Sequence, residues 1–327
     1  MLKLSAIRLT NCLALLLVST FLSYLISASA LDPRAYYEQR TPPPPVAVVD
    51  QRLAQLGLSD SVPVTERFAH WAWRALHGDL GRTLDGTPVT TEFGRRVGVT
   101  ARLLVVGTVV GTALGVLAGV WAAVRRGRLP DRALTVFSFA VLAVPPFVLG
   151  LLLQAGAITV NDATGRTVIR YTGERTPGLT GGPLTRFGDA AVHLALPTLA
   201  VALGAVATYS RYQRAATADV LASEHLRAAR ARGLTPGRAL LRHGLRVSLI
   251  PLATFFSFGF LTLFTGAVFT EKVFGWHGMG GWFVESVQKG DVNSVVAVEV
   301  FGAALVLLAG LAGDLLHAAL DPRVRYP

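Results

Sequence analysis

The sequence predicts an all-α fold: a polytopic membrane protein with about six transmembrane helices. Three observations carry this expectation. Of the 327 residues, 52% are hydrophobic and only 16% charged, against roughly 25% charged in a soluble domain. The apolar residues gather in six windows, each about the 20 residues that a helix rising 1.5 Å per residue needs to cross a ~30 Å hydrocarbon core. A helix also satisfies its own backbone donors and acceptors, which the bilayer demands.

The windows cover residues 9–30, 97–124, 133–157, 191–209, 248–270 and 295–319. The segments expected on the cytoplasmic side are the N-terminal stub, 125–132, 211–246 and 320–327. They hold just over half of the 31 lysines and arginines, but few acids. Positive-inside asymmetry then places both termini in the cytoplasm of a multi-pass cell-membrane protein. The net charge of +11 gathers at the inner membrane face, which points to the lipid membrane and away from nucleic acid. The single Cys12 rules out an internal disulfide framework and a cysteine metal cage.

The first window has a second reading. Lys3 and Arg8, an apolar run, then Ala28-Ser29-Ala30 resemble a cleaved leader, but the run exceeds the about 7–15 residues usual for one. Retention of 1–30 as the first transmembrane helix is the expectation; cleavage would leave five spans and an external N-terminus. An extracytoplasmic region, 31–96, follows. It opens with four prolines at 42–45, an extended spacer. Residues 48–58 have a weak helical pattern, and 70–77, with Trp71 and Trp73, resemble an interfacial segment.

The remaining 97–319 is expected to form a five-helix core. In the second window Gly107, Gly111, Gly115 and Gly119 recur every four residues. That stripe lets another helix backbone approach closely, and packing explains it better than a cofactor site. Pro145-Pro146 should kink or break the third window, as a hinge, a path lining or a packing kink. Loops at 161–189 and 271–293 are rich in glycine; the second, with FGWHGMGGW, predicts tight turns. Glu299 and Asp314 lie at membrane depth, where ionisable groups are costly; they are pathway residues or merely snorkel. His193 and His317 sit near boundaries. The seven histidines are scattered without a metal-ligand spacing, and no Ser-His-Asp set stands out. None of the three lysines, Lys3, Lys272 and Lys289, closes a phosphate loop, so any ATPase must be another chain.

Between the fourth and fifth windows lies SEHLRAARARGLTPGRALLRHGLRVSLIPLAT, residues 223–254. Residues 223–232 predict a short helix, slim along Ala228, Ala229 and Ala231 and charged through Arg227, Arg230 and Arg232. Gly233 suits a left-handed helix stop. Thr235 then caps a second helix over 237–246, with Pro236 at its first position. A solvated basic loop is the plain alternative. A rigid helix with small residues and a defined turn instead suits docking into a partner's groove and carrying rigid-body motion.

These residues resemble the cytoplasmic signature loop, or EAA loop, of ABC-importer permeases in its oligopeptide and dipeptide variant. The match rests on ARARGL at 229–234, RHGLR at 242–246 and LIP at 249–251. The Glu-Ala-Ala triplet itself is not intact, since Arg227 precedes Ala228-Ala229. GDLGRT at 78–83, Pro146-Phe147, EKVFGW at 271–276 with GMG at 278–280, and DPRVRY at 321–326 resemble further motifs of the family in the same order. The long region after the first helix resembles the B-type subunit of a permease pair.

The resemblance implies a type I ABC importer permease fold. It implies a second permease subunit, two ATPase subunits carrying ATP and Mg, and an extracytoplasmic substrate-binding protein. This chain would supply no cofactor, metal or catalytic residue. Residues 223–233 would be a coupling helix, with Glu224, Arg227, Ala228, Ala229, Arg230, Arg232, Gly233 and Leu234 meeting the ATPase. Glu271, Phe274, Gly278 and Gly280 would form a gate or a binding-protein contact. Oligopeptides or dipeptides are the expected substrates. An importer of nickel or another small solute in the same family is the alternative, and a self-contained secondary transporter the one from another class.

Overall fold

The computed structural model describes residues 2–320, apart from the side chains of 2–9, 254 and 257–265. The tail motif at 321–326 and the side chains of Lys3 and Arg8 lie outside the described residues. Among those described, regular structure is helical, with one isolated bridge between Arg82 and Pro88. The helices in chain order are α1 (Leu2–Ala30), α2 (Pro33–Glu38), α3 (Val46–Gln55), α4 (Val64–Leu76), α5 (Val89–Val124), α6 (Leu129–Ala143) and α7 (Pro146–Thr164). They continue with α8 (Pro183–Ala222), α9 (Glu224–Ala231), α10 (Pro236–Ala239), a π-turn (Leu240–Gly244), α11 (Leu245–Phe274), α12 (Met279–Lys289) and α13 (Val292–Leu320).

Among the described residues five helices are long and apolar enough to cross a membrane: α1 through Thr10–Ala30, α5, α7, α8 and α13. The fifth window lies on α11, a helix of 30 residues. The third window departs from expectation, because 133–157 is two helices, α6 of 15 residues and α7 of 19. Val144 (φ −96, ψ 128) and Pro145 (φ −56, ψ 142) stand extended between them. Pro145 and Pro146 bring no backbone donor, and each pushes its predecessor out of the helical region.

Two loops are also shorter than the sequence suggests. α8 runs 40 residues, about 60 Å, so the first part of the segment 211–246, expected as a loop between spans, is helix. The segment 271–293, read as tight turns, is mostly helix as well. Gly275 (φ 65) ends α11 in the left-handed region and Gly278 (φ −87, ψ −167) starts α12. Glycine here separates helices instead of replacing them.

The chain forms two compact units, residues 1–100 with 277–307, and residues 101–276 with 308–327. The first has a core of Tyr24, Leu53, Leu58, Trp71, Leu84 and Val296. It therefore gathers the region 31–96 around α1 and the start of α13. Asp291 caps α13 by accepting from the Ser294 amide (3.2 Å) and hydroxyl (2.9 Å), and it also accepts from the Leu84 amide (3.1 Å). Burial pushes its carboxyl up, against those hydrogen bonds.

In the second unit the glycine stripe of α5 meets α8. A methyl added at Gly111 would lie 2.6 Å from Ala205 Cβ, and one at Gly119 2.5 Å from the Ser210 carbonyl oxygen. Gly107 meets Val201 and Gly115 meets Tyr209 in the same way. The four-residue spacing is thus a close helix contact.

Candidate functional site

The hairpin of residues 223–246 is built from three stops. α8 breaks at Ser223 (φ −69, ψ 151), whose amide and hydroxyl both donate to the Val220 carbonyl. α9 then runs eight residues, and Gly233 (φ 89) closes it by donating its amide to Arg230 (2.9 Å). Its positive φ is the region that glycine enters without steric cost. Thr235 occupies the cap position of α10 with Pro236 first in the helix, yet the Thr235 side chain makes no capping hydrogen bond. The second arm is not a separate helix over 237–246: α10 winds through the π-turn directly into α11.

One contact seats the hairpin. Leu226 is 1% exposed and is the buried residue of α9. It points at Gly244, where an added methyl would lie 3.2 Å from Leu226 Cδ1, 3.0 Å from Val220 Cγ1 and 2.9 Å from Leu240 Cδ1. Three apolar side chains from α8, α9 and the π-turn therefore converge on a bare backbone. The remainder of α9 faces outward. Glu224, Arg227, Ala228, Arg230, Arg232 and Gly233 are exposed, and Ala229 and Leu234 are half-buried. Arg227 and Glu224 approach to 3.6 Å, both well exposed, which adds little stability. The outward surface is small in its middle and cationic at its edges.

Polar links tie the hairpin's roots into the helices. Gln213, fully buried on α8, donates to Thr217 and to Ser248 of α11, both at 2.9 Å. Arg214 grips Asp131 at the start of α6 with Nε and Nη2, while the Gly127 amide donates to the same carboxylate (2.8 Å). The Arg214 guanidinium holds the Asp131 carboxyl down to about 2, against its burial. Arg246, two residues past the π-turn, donates to the carbonyls of Leu320 (2.8 Å) and Ala319 (2.9 Å), capping α13. Sequence reasoning named none of Leu226, Gly244, Gln213 or Asp131 as site residues. Leu226 alone had a visible signal, as the one large apolar side chain in EHLRAARA.

A cavity of about 220 Å³ opens beside the Val144–Pro145 break, walled by Val144, Pro146, Gly204, Thr208, Tyr209 and Thr270. The proline pair thus borders a space within this unit.

At the other end of α11, Glu271 and Phe274 are both fully buried. The Phe274 carbonyl accepts from the Gly173 amide (2.8 Å), and the Glu271 carbonyl from the Trp276 amide (2.8 Å). The loop 165–182 is held over this end. Gln154 donates to Tyr171 (3.2 Å), and His193 contacts the Gly173 carbonyl (3.0 Å) and the Thr176 hydroxyl (3.2 Å). Between Glu271 and Phe274, Lys272 is exposed. In the first unit Gly278 and Gly280 are buried at the start of α12, where the Met279 amide donates to Thr100 Oγ1 (2.8 Å). Glu299 is half-buried and accepts from Ser27 (3.3 Å), while Asp314 is exposed.

Comparison with known proteins gives concordant similarities. Residues 115–326 match the family described as binding-protein-dependent transport system inner membrane component. The chain is 51% identical over 318 residues to the oligopeptide transport system permease protein OppB of Mycobacterium tuberculosis (strain ATCC 25618 / H37Rv), covering 97% of each. It is 31% identical over 289 residues to the dipeptide transport system permease protein DppB of Escherichia coli (strain K12), covering 84% of this chain and 85% of that one. In fold it is similar to a chain solved in inward facing conformations of the MetNI methionine ABC transporter. The TM-score is 0.52 at 18% identity, over 70% of this chain and 96% of that chain.

Proposed function

Because this chain belongs to the family of binding-protein-dependent transport system inner membrane components, we propose that it is one permease subunit of an ATP-driven importer of oligopeptides. The named substrates of its oligopeptide and dipeptide relatives support that class. It pairs with a second permease subunit. Two ATPase subunits, which hold ATP and Mg, bind at its cytoplasmic face, and a substrate-binding protein delivers peptide from outside. The chain itself carries no cofactor and breaks no bond, and both its termini lie in the cytoplasm.

The observation that carries this reading is how α9 is held. Its slim, cationic face is free for a partner, while Leu226 locks it to α8, the π-turn and, through them, α11. Closure of an ATPase dimer against that face would displace α9 as a rigid body. The displacement would reach α8 and α11 without dissipating in a loop, and so change the helices that wall the cavity beside Pro146. Arg230 and Arg232 would pair with acidic side chains in the ATPase groove. The test is Ala228→Asp, which places a charge on the exposed contact face and leaves the Leu226 seat intact. Peptide uptake and peptide-stimulated ATP hydrolysis should be lost while membrane insertion is kept; normal uptake would refute the assignment.

A further inference from the structure

α4 presents a second apolar surface that the transport reading does not use. Its core-facing side is formed by Val64, Phe68, Trp71, Ala72 and Ala75, packed in the first unit's core. Beside that face runs another stripe, Ala69, Trp73 and Leu76, at the four- and three-residue spacing that aligns side chains along a helix. All three are exposed, Trp73 at 67% and Leu76 at 81%. The polar flank of Glu66, Arg67, His70 and Arg74 closes the rest of the circumference: Glu66 and His70 border the stripe, the His77 ring lies 4.6 Å from that of Trp73, and Arg67 donates to the Leu58 carbonyl (3.2 Å) and pairs with Asp60. Roughly half of α4's circumference is apolar, and only part of that half is covered by protein.

The contacts of α4 with α1 fix its level. Phe68 stacks edge-on against Phe21 (5.0 Å between ring centroids) and Tyr24 (5.5 Å), and Trp71 lies 5.9 Å from Tyr24. Phe21 and Tyr24 lie within the spanning stretch Thr10–Ala30. They are nine and six residues from its outer end, or about 13 and 9 Å along the axis. α4 therefore packs on the apolar stretch of α1 close to its C-terminal end, near the depth at which an interfacial helix sits in a bilayer. On α1 Leu22, Leu25 and Ile26 are exposed in the same way, as apolar side chains of a membrane helix are where lipid covers them. A tryptophan at this level matches the preference of indole for the membrane boundary.

We infer that α4 is an interfacial anchor: Ala69, Trp73 and Leu76 insert into the outer leaflet, and the occupant of the stripe is lipid. The outer region is thereby fastened to the bilayer surface as well as to α1.

The full-length chain, in its assembled complex, is reconstituted in phosphatidylcholine vesicles with and without bromine on the acyl chains. Subtracting the spectrum of Trp73→Phe isolates the Trp73 emission from that of the other tryptophans. That emission should lose intensity to brominated tails and little to aqueous iodide. In parallel, Leu76→Cys on a Cys12→Ser background carries a nitroxide, which should be relaxed more by oxygen than by a water-soluble nickel chelate. Quenching by iodide together with preference for the chelate would overturn the inference. Shielding of both positions from lipid and water alike would overturn it too, and would assign the stripe to a protein contact. Shielding that appears only when a substrate-binding protein is added would identify that protein as the occupant and would equally overturn the lipid assignment.

Discussion

Leu226 of α9 rests on Gly244 of the π-turn, its Cδ1 only 3.2 Å from where a methyl group on Gly244 would lie. The pair joins the exposed hairpin to the spanning helices. Leu226→Ala would leave a void at this seat at a cost of about 2–4 kcal/mol, and α9 would lose its fixed orientation. The expected outcome is uncoupling: ATP hydrolysis persists without peptide, and peptide uptake per ATP falls. Gly244→Val should give the same phenotype from the opposite cause, overpacking. Tight coupling in both variants would place the seat elsewhere.

The Asp131–Arg214 pair gives a pH signature. The folded carboxyl sits at about 2, below its ordinary value of 3.8. A depressed carboxyl contributes stability that is complete above the unfolded value and is lost as pH falls through the folded one. Thermal unfolding of the detergent-solubilised complex should therefore show a loss between roughly pH 4 and 2 that is smaller in Asp131→Asn. At pH 7 the same variant should be less stable by on the order of 2 kcal/mol, the scale of hydrogen bonds to a charged group. Identical acid profiles for the two proteins would remove the pair from the stability balance.

The glycine stripe predicts a ranking. A methyl at Gly107 meets Val201 Cγ1 (2.8 Å), which can rotate away, and Cβ (3.0 Å), whereas one at Gly119 meets the Ser210 carbonyl (2.5 Å) and the Arg214 amide (3.0 Å), which are backbone. Gly119→Ala should cost more than Gly107→Ala, within the ~1–3 kcal/mol typical of overpacking. Unfolding temperatures of the two variants decide the order, and the reverse order would refute the contact.

Arg246 closes the C-terminal end of α13 by donating to two of its last carbonyls. Helix ends leave such carbonyls unsatisfied, so Arg246→Gln should let the last turn fray. Faster amide hydrogen exchange in the final turn of α13 is expected, with partial restoration in Arg246→Lys, which keeps the favourable charge at a helix C-terminus. Unchanged exchange in Arg246→Gln would show that the cap adds nothing.

Much of this architecture was legible in the sequence, for physical reasons that differ by element. Apolar windows mark helices because the bilayer admits few other structures. Gly233 and Pro236 marked the hairpin because positive φ and a missing donor leave few alternatives. The break at Val144–Pro145 was expected, though not the cavity beside it, since a cavity depends on residues from helices far apart in sequence. Gly244 and Gln213 were invisible for the same reason: each acts only through neighbours that folding brings to it. Glu271 and Phe274 fell on a motif, but a motif carries no information on burial. Thr235 occupied the right position for a cap without performing one, because local sequence offers a donor or acceptor and the surrounding backbone decides its use.

The five residues Leu240–Gly244 wind more widely than the α-helix on either side of them. A π-turn stores one surplus residue in an otherwise regular coil. Should that turn tighten to ordinary α winding, everything before it would swivel by about 100° and shift by about 1.5 Å relative to α11. The slack for such a ratchet is already wound into the chain, between α9 and α11.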